Sequence, residues 1–442
     1  MCKVSFFSGG KDRFVAHDRG ANMSEEKESH GAATFFFTKQ ALFDVKRKLW
    51  GYEIMGGADA CSTTQPACFA DQDQVAGSLA SSSYMGVQNA VERGKKVVAP
   101  FDEGGLLAKA PYALPAAHGV VKLVGPSQAP QTLLAAVGQL KADGYALALD
   151  LTSAMGAVAG LPELADVLCF DAGNGTDPRN FLDRAKGRKV ALLASRVQGL
   201  EQFEQLKAAG FTLFQGRFFK EPEIIAERKL TSHQMSRFSI LKLLEAEDPD
   251  VDALADTISA DVSVSFRLLA YLNSAAFGFP QKIQSIRQAI MFLGTDKLKN
   301  WLRAVLLADM AQQGDMPREL AELSLLRARF LEQIATRYDY WDFDPGSLFL
   351  LGLFSLLDAI LGIPMAKITN HLPLDEKLKA ALRREEKSEY QPLFDLEECL
   401  EDADWERLAD LTRKLGFDLE TVKACYGEAM AWSGGFFASQ TT

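Results

Sequence analysis

Eight short apolar, strand-like runs lie between residues 33 and 222, and after Pro222 the β signal disappears. The runs are FFFTKQALFD, KLWGYEIM, KKVVAPF, GVVKLV, YALALD, DVLCFD, KVALLA and FTLFQG. Each carries β-branched or aromatic residues, which strands favour. Between them, QTLLAAVGQLKADG, NFLDRAKG and GLEQFEQLKAAG carry apolar residues at helical spacing and end in glycine, a stop signal for helices. Strands alternating with helices over this length predict a compact α/β TIM-like barrel. Beyond residue 222 helix follows helix. In ALADTISADVSVSFRLLAYLNSAAFG, Leu254, Ile258, Val262, Phe266, Leu269 and Leu272 recur every three or four positions, one buried helical face of an all-α domain.

Length agrees with this division, because 442 residues exceed one ordinary core and point to two or three domains. The reading places a flexible N-terminal segment at 1–32, the barrel at 33–222, a charged linker helix at 223–236, the helical domain at 237–430 and a tail at 431–442. A net charge of −10 argues against a nucleic-acid partner, since phosphate-backbone affinity rests on clustered Lys and Arg. Cys2, Cys61, Cys68, Cys169, Cys399 and Cys425 lack C-x-x-C spacing and read as reduced thiols. No signal peptide is visible, so a cytoplasmic location is expected, with translation able to start at Met23 as well as Met1. LFLLGLFSLLDAILGIPM (348–365) is the longest apolar run. Asp358 and Pro364 interrupt it and it falls short of the ~20 residues a membrane span needs, so a buried helix is expected.

Short motifs offer little chemistry by themselves. SGGKD near the N-terminus is similar to a phosphate-cradling SGGxDS loop, but Arg13 stands in place of the serine and no nucleotide-binding unit follows. No G-x-S-x-G elbow is present. FFF (35–37) and FF (218–219) read as barrel strands, and RREEKSEY and DLEECLEDADWERLADL as solvated charge runs.

Two longer stretches carry a family resemblance. FTKQALFDVKRKLWGYEIM looks like the opening of the EAL domains that are fused to HDOD domains, with Glu53 at the glutamate of the E-A-L signature. The later strands, from YALALD to LFQGRFF, match that domain in order and spacing. ISADVSVSFRLLAYLNSAAFGFPQKIQSIRQAIMFLGTDKLKNWL resembles the core of an HDOD domain. The chain is thus similar to a bacterial EAL–HDOD two-domain signalling protein: an EAL-type barrel followed by an all-α helical domain related to the HD superfamily.

Active EAL domains are cyclic di-GMP phosphodiesterases, and the resemblance implies a two-metal site, in which acids from successive strands hold ions that clamp the attacking and leaving oxygens. Here Glu53, Asp150, Asp171 and Gln215 match the family pattern. The other positions do not: Gly57 replaces the phosphate-binding arginine, Pro100 the asparagine, Lys122 a glutamate, Leu151 the second aspartate, Cys169 the lysine and Ser195 the late glutamate. The ammonium of Lys122 would occupy the space of a dication. It can pair with Glu53 or with Asp150, and Asp150 is expected to hold an ammonium.

The helical half is also without its superfamily's metal pattern. His17, His30, His118, His233 and His371 are scattered, and Ser355 and Leu356 fall where an H-D pair would stand. His371 reads as a loop or cap residue. The expectation is a degenerate, non-catalytic scaffold of the cyclic di-GMP type without metal or other cofactor, contacting other signalling proteins. The resemblance implies roles in motility or surface attachment. A cyclic di-GMP-binding sensor is the alternative, and an active phosphodiesterase stands behind both.

Overall fold

Each of the eight runs forms a strand: β1 (Phe37–Asp44), β2 (Leu49–Gly56), β3 (Lys96–Phe101), β4 (Gly119–Leu123), β5 (Ala146–Asp150), β6 (Val167–Asp171), β7 (Ala191–Val197) and β8 (Leu213–Gly216). In the computed structural model they close into one barrel in sequence order. Residues 36–56, 91, 93–153, 155–224, 228–246, 251–260, 262–272, 283, 285–310, 314–338, 343–385 and 388–438 are described, within one unit spanning 35–442. The SGGKD loop, Met23, His17, His30, Gly57, Cys2, Cys61 and Cys68 lie outside them, as do the side chains of Val262 and Phe266.

The barrel departs from an all-parallel one at β1, which runs antiparallel to both β2 and β8. The cause is local. Only residues 45–48 separate β1 from β2, too few for a crossover, so the pair must be a hairpin. The Asp44 carboxylate fastens that turn by accepting the N–H groups of Lys46 (2.8 Å) and Lys48 (2.9 Å). The other strand pairs are parallel, and the three helical stretches named above become α1 (Pro130–Ala142), α2 (Pro178–Ala185) and α3 (Leu200–Ala208).

Side chains alternate across a strand. Leu42, Val98, Val120, Ala148, Val167, Leu193 and Leu213 point inward and form a closed apolar layer inside the barrel. The outward-facing residues join the main core beneath the helices. β7 carries an irregularity between Ala194 and Val197 against β8. Gly216 fits opposite it at φ +142°, where a Cβ would lie 2.3 Å from the Val197 carbonyl oxygen, so no other residue is accommodated. Phe218 and Phe219, expected in a strand, instead form a 3₁₀ turn (Phe218–Lys220) that buries both rings after β8.

After the barrel, helices of eight residues or more are α4 (Ser232–Leu244), α5 (Val251–Ala260), α6 (Val262–Leu272), α7 (Ile286–Leu293), α8 (Thr295–Met310), α9 (Asp315–Arg337), α10 (Pro345–Phe354), α11 (Gln391–Asp402), α12 (Trp405–Leu415) and α13 (Leu419–Ala438). α4 starts inside the stretch read as a linker. Thr231 and Gln234 form a capping box there, with reciprocal bonds of 3.2 and 3.0 Å. The long apolar run becomes α10 and a short helix, Leu357–Leu361, both buried. Gly352 lets α10 cross α9 closely, since a Cβ would sit 2.5 Å from the Ala328 nitrogen. Among the described residues no single helix is long and apolar enough to cross a membrane; Pro345–Leu361 and Met365–His371 satisfy the length and composition only as a pair bent by 116°.

α9 lies against the outer face of the β1–β2 hairpin. Tyr52 Oη donates to Glu319 at 2.5 Å, Lys39 pairs with Glu322 at 2.5 Å, and the Leu49 N–H donates to Asp315 at 3.0 Å. Burial, with Glu322 beside it, pushes the Glu319 carboxyl up to about 7. The hairpin therefore offers one face to α9 and the other, with Gln40 and Glu53, to the barrel interior.

Candidate functional site

One step toward the strands' C-terminal ends from the inner apolar layer, the same alternation produces a second ring: Gln40, Pro100, Lys122, Asp150, Cys169, Ser195 and Gln215. Glu53 joins it opposite Gln40. With Asp171 these side chains line a cavity of about 450 Å³ at the barrel mouth. Eight of the ten residues singled out from the sequence thus come together. Leu151 does not; it is buried in the core behind Asp150. Gly57 lies outside the described residues.

Glu53 is the centre of the ring and is only 3% exposed at its side chain. Lys122 Nζ donates to its Oε1 at 2.6 Å, and Gln215 Nε2 donates to its Oε2 at 2.8 Å. Pro100 and Lys122 are register partners on adjacent strands, so Lys122 projects beside a residue that offers no side-chain donor or acceptor. Burial alone would depress the Lys122 ammonium; the charge of Glu53, the Lys122–Glu53 hydrogen bond and the nearby Asp150 raise it above the ordinary lysine value. Burial pushes the neighbouring Cys169 thiol up to about 12 against the pull of Lys122, so it stays protonated.

Asp150 does not hold the ammonium directly, contrary to expectation. Its Oδ1 accepts the backbone N–H of Thr152 at 2.7 Å and the Thr152 hydroxyl at 2.6 Å. An aspartate followed two residues later by a free N–H closes an Asx turn, and that local bond engages Oδ1 while Lys122 takes Glu53. Asp171 is also engaged: it caps Gly173 at 2.9 Å and accepts the guanidinium of Arg196 in a two-point pair, at 2.7 Å through Nε. Ser195 turns its hydroxyl to the Phe170 carbonyl at 3.2 Å.

Sequence reasoning missed Arg196, Arg217, Gln40 and the whole wall contributed by the α11–α12 corner. Arg196 sits in the left-handed region (φ +55°), within the β7 irregularity, which swings it over Asp171. Arg217 leaves the barrel mouth for Asp402 (2.5 Å) and Glu398 (3.0 Å) on α11. Asp402, Ala403 and Trp405 line the cavity from the helical side, and Trp405 packs edge-on against Phe36, 5.5 Å between centroids. Gln215 and Gln40 continue the ring into the helices: Gln215 Nε2 donates to Gln40 Oε1 at 2.8 Å, and Gln40 Nε2 to the Glu401 carbonyl at 2.8 Å. The signal was available in part, since Gln40 lies two residues before Leu42 on the inward face of β1.

The acids of DLEECLEDADWERLADL, expected to be solvated, are the second correction. Glu401 is buried and accepts Arg327 twice (2.6 and 2.8 Å) and Lys220 once (2.6 Å). Although burial opposes it, these cations pull Glu401 down to about 2. Beside it, neither carboxylate oxygen of Glu397 has a hydrogen-bond partner among the described residues, Arg327 stands 3.7 Å away, and burial raises it to about 8. One α11 face is acidic because the turn after β8 and α9 supply the matching cations.

The divalent ions implied by the family resemblance do not fit this donor set. Both oxygens of Glu53 are taken, one by an ammonium that would repel a dication at hydrogen-bond range. Asp150 and Asp171 are bonded to their own loops and to Arg196. Among the described residues no three His, Cys, Asp or Glu side chains gather as a metal ion needs. His118 instead bonds the Lys95 carbonyl (3.0 Å), and His371 ends a 3₁₀ turn with its ring against Phe238.

Comparison with known proteins fits the geometry. A model of the HDOD domain matches residues 230–380. Over 408 residues the chain is 31% identical to the cyclic di-GMP phosphodiesterase CdgJ of Vibrio cholerae, covering 90% of this chain and 92% of that protein. The chain belongs to the EAL–HDOD two-domain family. A second relative is the uncharacterized protein YuxH of Bacillus subtilis, 30% identical over 407 residues, 90% of this chain and 97% of YuxH. Among solved structures, a standalone EAL protein of Vibrio cholerae in its c-di-GMP bound form is 16% identical at a TM-score of 0.33, covering 42% of this chain and 91% of that one. The EAL barrel and the HDOD region place the protein in the cyclic di-GMP signalling family. The α11–α12 corner, which walls the barrel mouth, and α13 follow the matched HDOD stretch.

Proposed function

We propose that this EAL–HDOD protein is a non-catalytic member of the cyclic di-GMP signalling family, a scaffold that works through contacts with other signalling proteins in circuits of motility or surface attachment. The observation that carries the proposal is the 2.6 Å bond from Lys122 Nζ to Glu53. A two-metal hydrolase needs carboxylates free to bind both ions and to lower the pKa of a bound water. In this reading Glu53, Asp150, Asp171 and Gln215 are vestiges of such a site, kept for structural bonds, and Gly57, Pro100, Lys122, Leu151, Cys169 and Ser195 are its lost positions. The relative CdgJ is named a phosphodiesterase, which makes the direct test necessary. Purified protein is incubated with cyclic di-GMP and Mg²⁺ or Mn²⁺ and the mixture is chromatographed for linear product. No product above a protein-free control is expected; turnover at enzymatic rates overturns the proposal.

A second reading rests on the cavity itself. About 450 Å³ remains open above Glu53, within the range of small-molecule sites. A sensor would bind cyclic di-GMP there without cleaving it, and the α11–α12 wall would register occupancy. Calorimetric titration with cyclic di-GMP in chelator separates the two readings: a scaffold gives no heat, whereas a sensor gives binding that Gln215→Ala weakens.

A further inference from the structure

One charge in the barrel-mouth cavity has no counterpart. Three of the carboxylates lining it are each met by a cation: Glu53 by Lys122, Asp171 by Arg196 and Asp402 by Arg217. The fourth, Asp150, has no ion pair among the described residues, and among them no further cation lines the walls. Its two hydrogen bonds, from the Thr152 N–H and the Thr152 hydroxyl, both fall on Oδ1. Among the described residues Oδ2 accepts none, and the mouth is left one negative charge in excess.

Lys122 is the complement of Asp150. An ammonium carries three N–H donors. Lys122 gives one to Glu53, and among the described residues the other two have no partner. Lys122 stands opposite Ala148 in the β4–β5 register, so Asp150 lies two residues, roughly 6–7 Å, further along the neighbouring strand toward the mouth. The two are close enough for their charges to interact, yet they do not bond. A donor and an acceptor with capacity to spare therefore line one cavity a short step apart. Met55, one inward step beyond Glu53 on β2, and Trp405 line the same cavity and give it an apolar side.

We propose that the mouth binds a free α-amino acid with an apolar side chain, its ammonium on Asp150 Oδ2, its carboxylate on the spare N–H groups of Lys122 and its side chain against Met55 and Trp405. Neither charge suits the site alone. A simple anion adds to the negative charge already in excess, and a simple cation meets the Lys122 ammonium at close range. A zwitterion brings both charges and no net charge, and charge-assisted bonds of this kind are the strong ones. About 450 Å³ is room for such a molecule. The inference goes beyond the scaffold reading, which leaves Asp150 only its bonds to Thr152, and its test involves no cyclic di-GMP, so either can fail without the other.

The test is calorimetric titration of the full chain with L-phenylalanine, in chelator. At equal ionic strength, 3-phenylpropionate serves as the arm without an ammonium and 2-phenylethylamine as the arm without a carboxylate. L-Phenylalanine is expected to bind with a Kd of about 1 mM or tighter, and each analogue at least about tenfold more weakly. Asp150→Asn keeps an oxygen for Thr152 and removes the charge, so it should weaken L-phenylalanine by about tenfold or more at the parent's melting temperature. Should that variant melt lower, the two analogues, titrated into the parent, still decide. No heat from L-phenylalanine at ~10 mM, either analogue binding as tightly as the amino acid, or undiminished binding by Asp150→Asn each overturns the proposal.

Discussion

Glu53 and Glu401 are both buried carboxylates, each accepting from a lysine, and Gln215 and Gln40 together link the first to the backbone of the second, yet the two regions are built differently. Glu53 has one cation and one amide and faces an open cavity. Glu401 has two cations and three close bonds, and lies in the seam where β8, α9 and α11 converge. A single carboxylate facing an open cavity can be neutralised by a single residue. A seam that holds two domains together needs several.

The difference predicts an order of stability effects. Glu401→Ala leaves Arg327 and Lys220 without their carboxylate in a buried place, and should cost about 3–5 kcal/mol in denaturant unfolding. A cost below ~1 kcal/mol would mean the seam is not held by these charges. Lys122→Met uncovers Glu53 but leaves it bonded to Gln215 beside the cavity, where water can enter. The expected loss is smaller, about 1–3 kcal/mol, and Glu53→Gln in the same chain should restore part of it. Equal losses for Glu401→Ala and Lys122→Met would erase the distinction between seam and mouth.

Glu397 sharpens the same comparison through pH. Its folded pKa of about 8 lies above the ordinary value of 4.5, so its contribution to stability is fully present below pH 4.5 and is lost as pH rises to about 8. Glu397→Gln should therefore raise stability over the parent by an amount near zero at pH 4 that grows up to pH 8 and then levels, at up to about 5 kcal/mol if the whole interval from 4.5 to about 8 counts at about 1.4 kcal/mol per pH unit. Melting temperatures across pH 4–9 check it. A gain that shrinks with rising pH would show that Arg327, at 3.7 Å, outweighs burial.

How far the sequence disclosed all this follows the same division. Period-two alternation names the inward residues of each strand, so once Val120, Val98 and Leu213 are taken as inner core, Lys122, Pro100 and Gln215 must form the ring above them. The barrel site was legible because strand geometry is local. The bonding of Asp150 was not, because it depended on a competitor two residues away, Thr152, rather than on charge. The seam was illegible for a further reason: Glu397, Glu398, Glu401 and Asp402 occupy a normal helical spacing, and nothing local distinguishes an acidic face in water from one that meets Arg217, Lys220 and Arg327. Those cations come from elements 70 to 185 positions away in the chain, and only the fold brings them together.

The smallest predicted effect tests whether a mouth residue is there for its side chain or despite its backbone. Arg196 pairs with Asp171 but is half in solvent, with 56% of its side chain exposed, so screening should leave that pair worth well under ~1 kcal/mol. Its φ of +55° is unfavourable for any residue with a Cβ. Arg196→Ala keeps the strain and loses the pair, and should be mildly destabilising. Arg196→Gly loses the pair and the strain together, and should match or exceed the parent by about 0.5–1 kcal/mol after allowing for the freedom glycine adds to the unfolded chain. If glycine is instead the worse of the two, the left-handed turn is not what Arg196 costs the fold. Its bond to Asp171 would then do more at the barrel mouth than its exposure implies, and the mouth would resemble the seam after all.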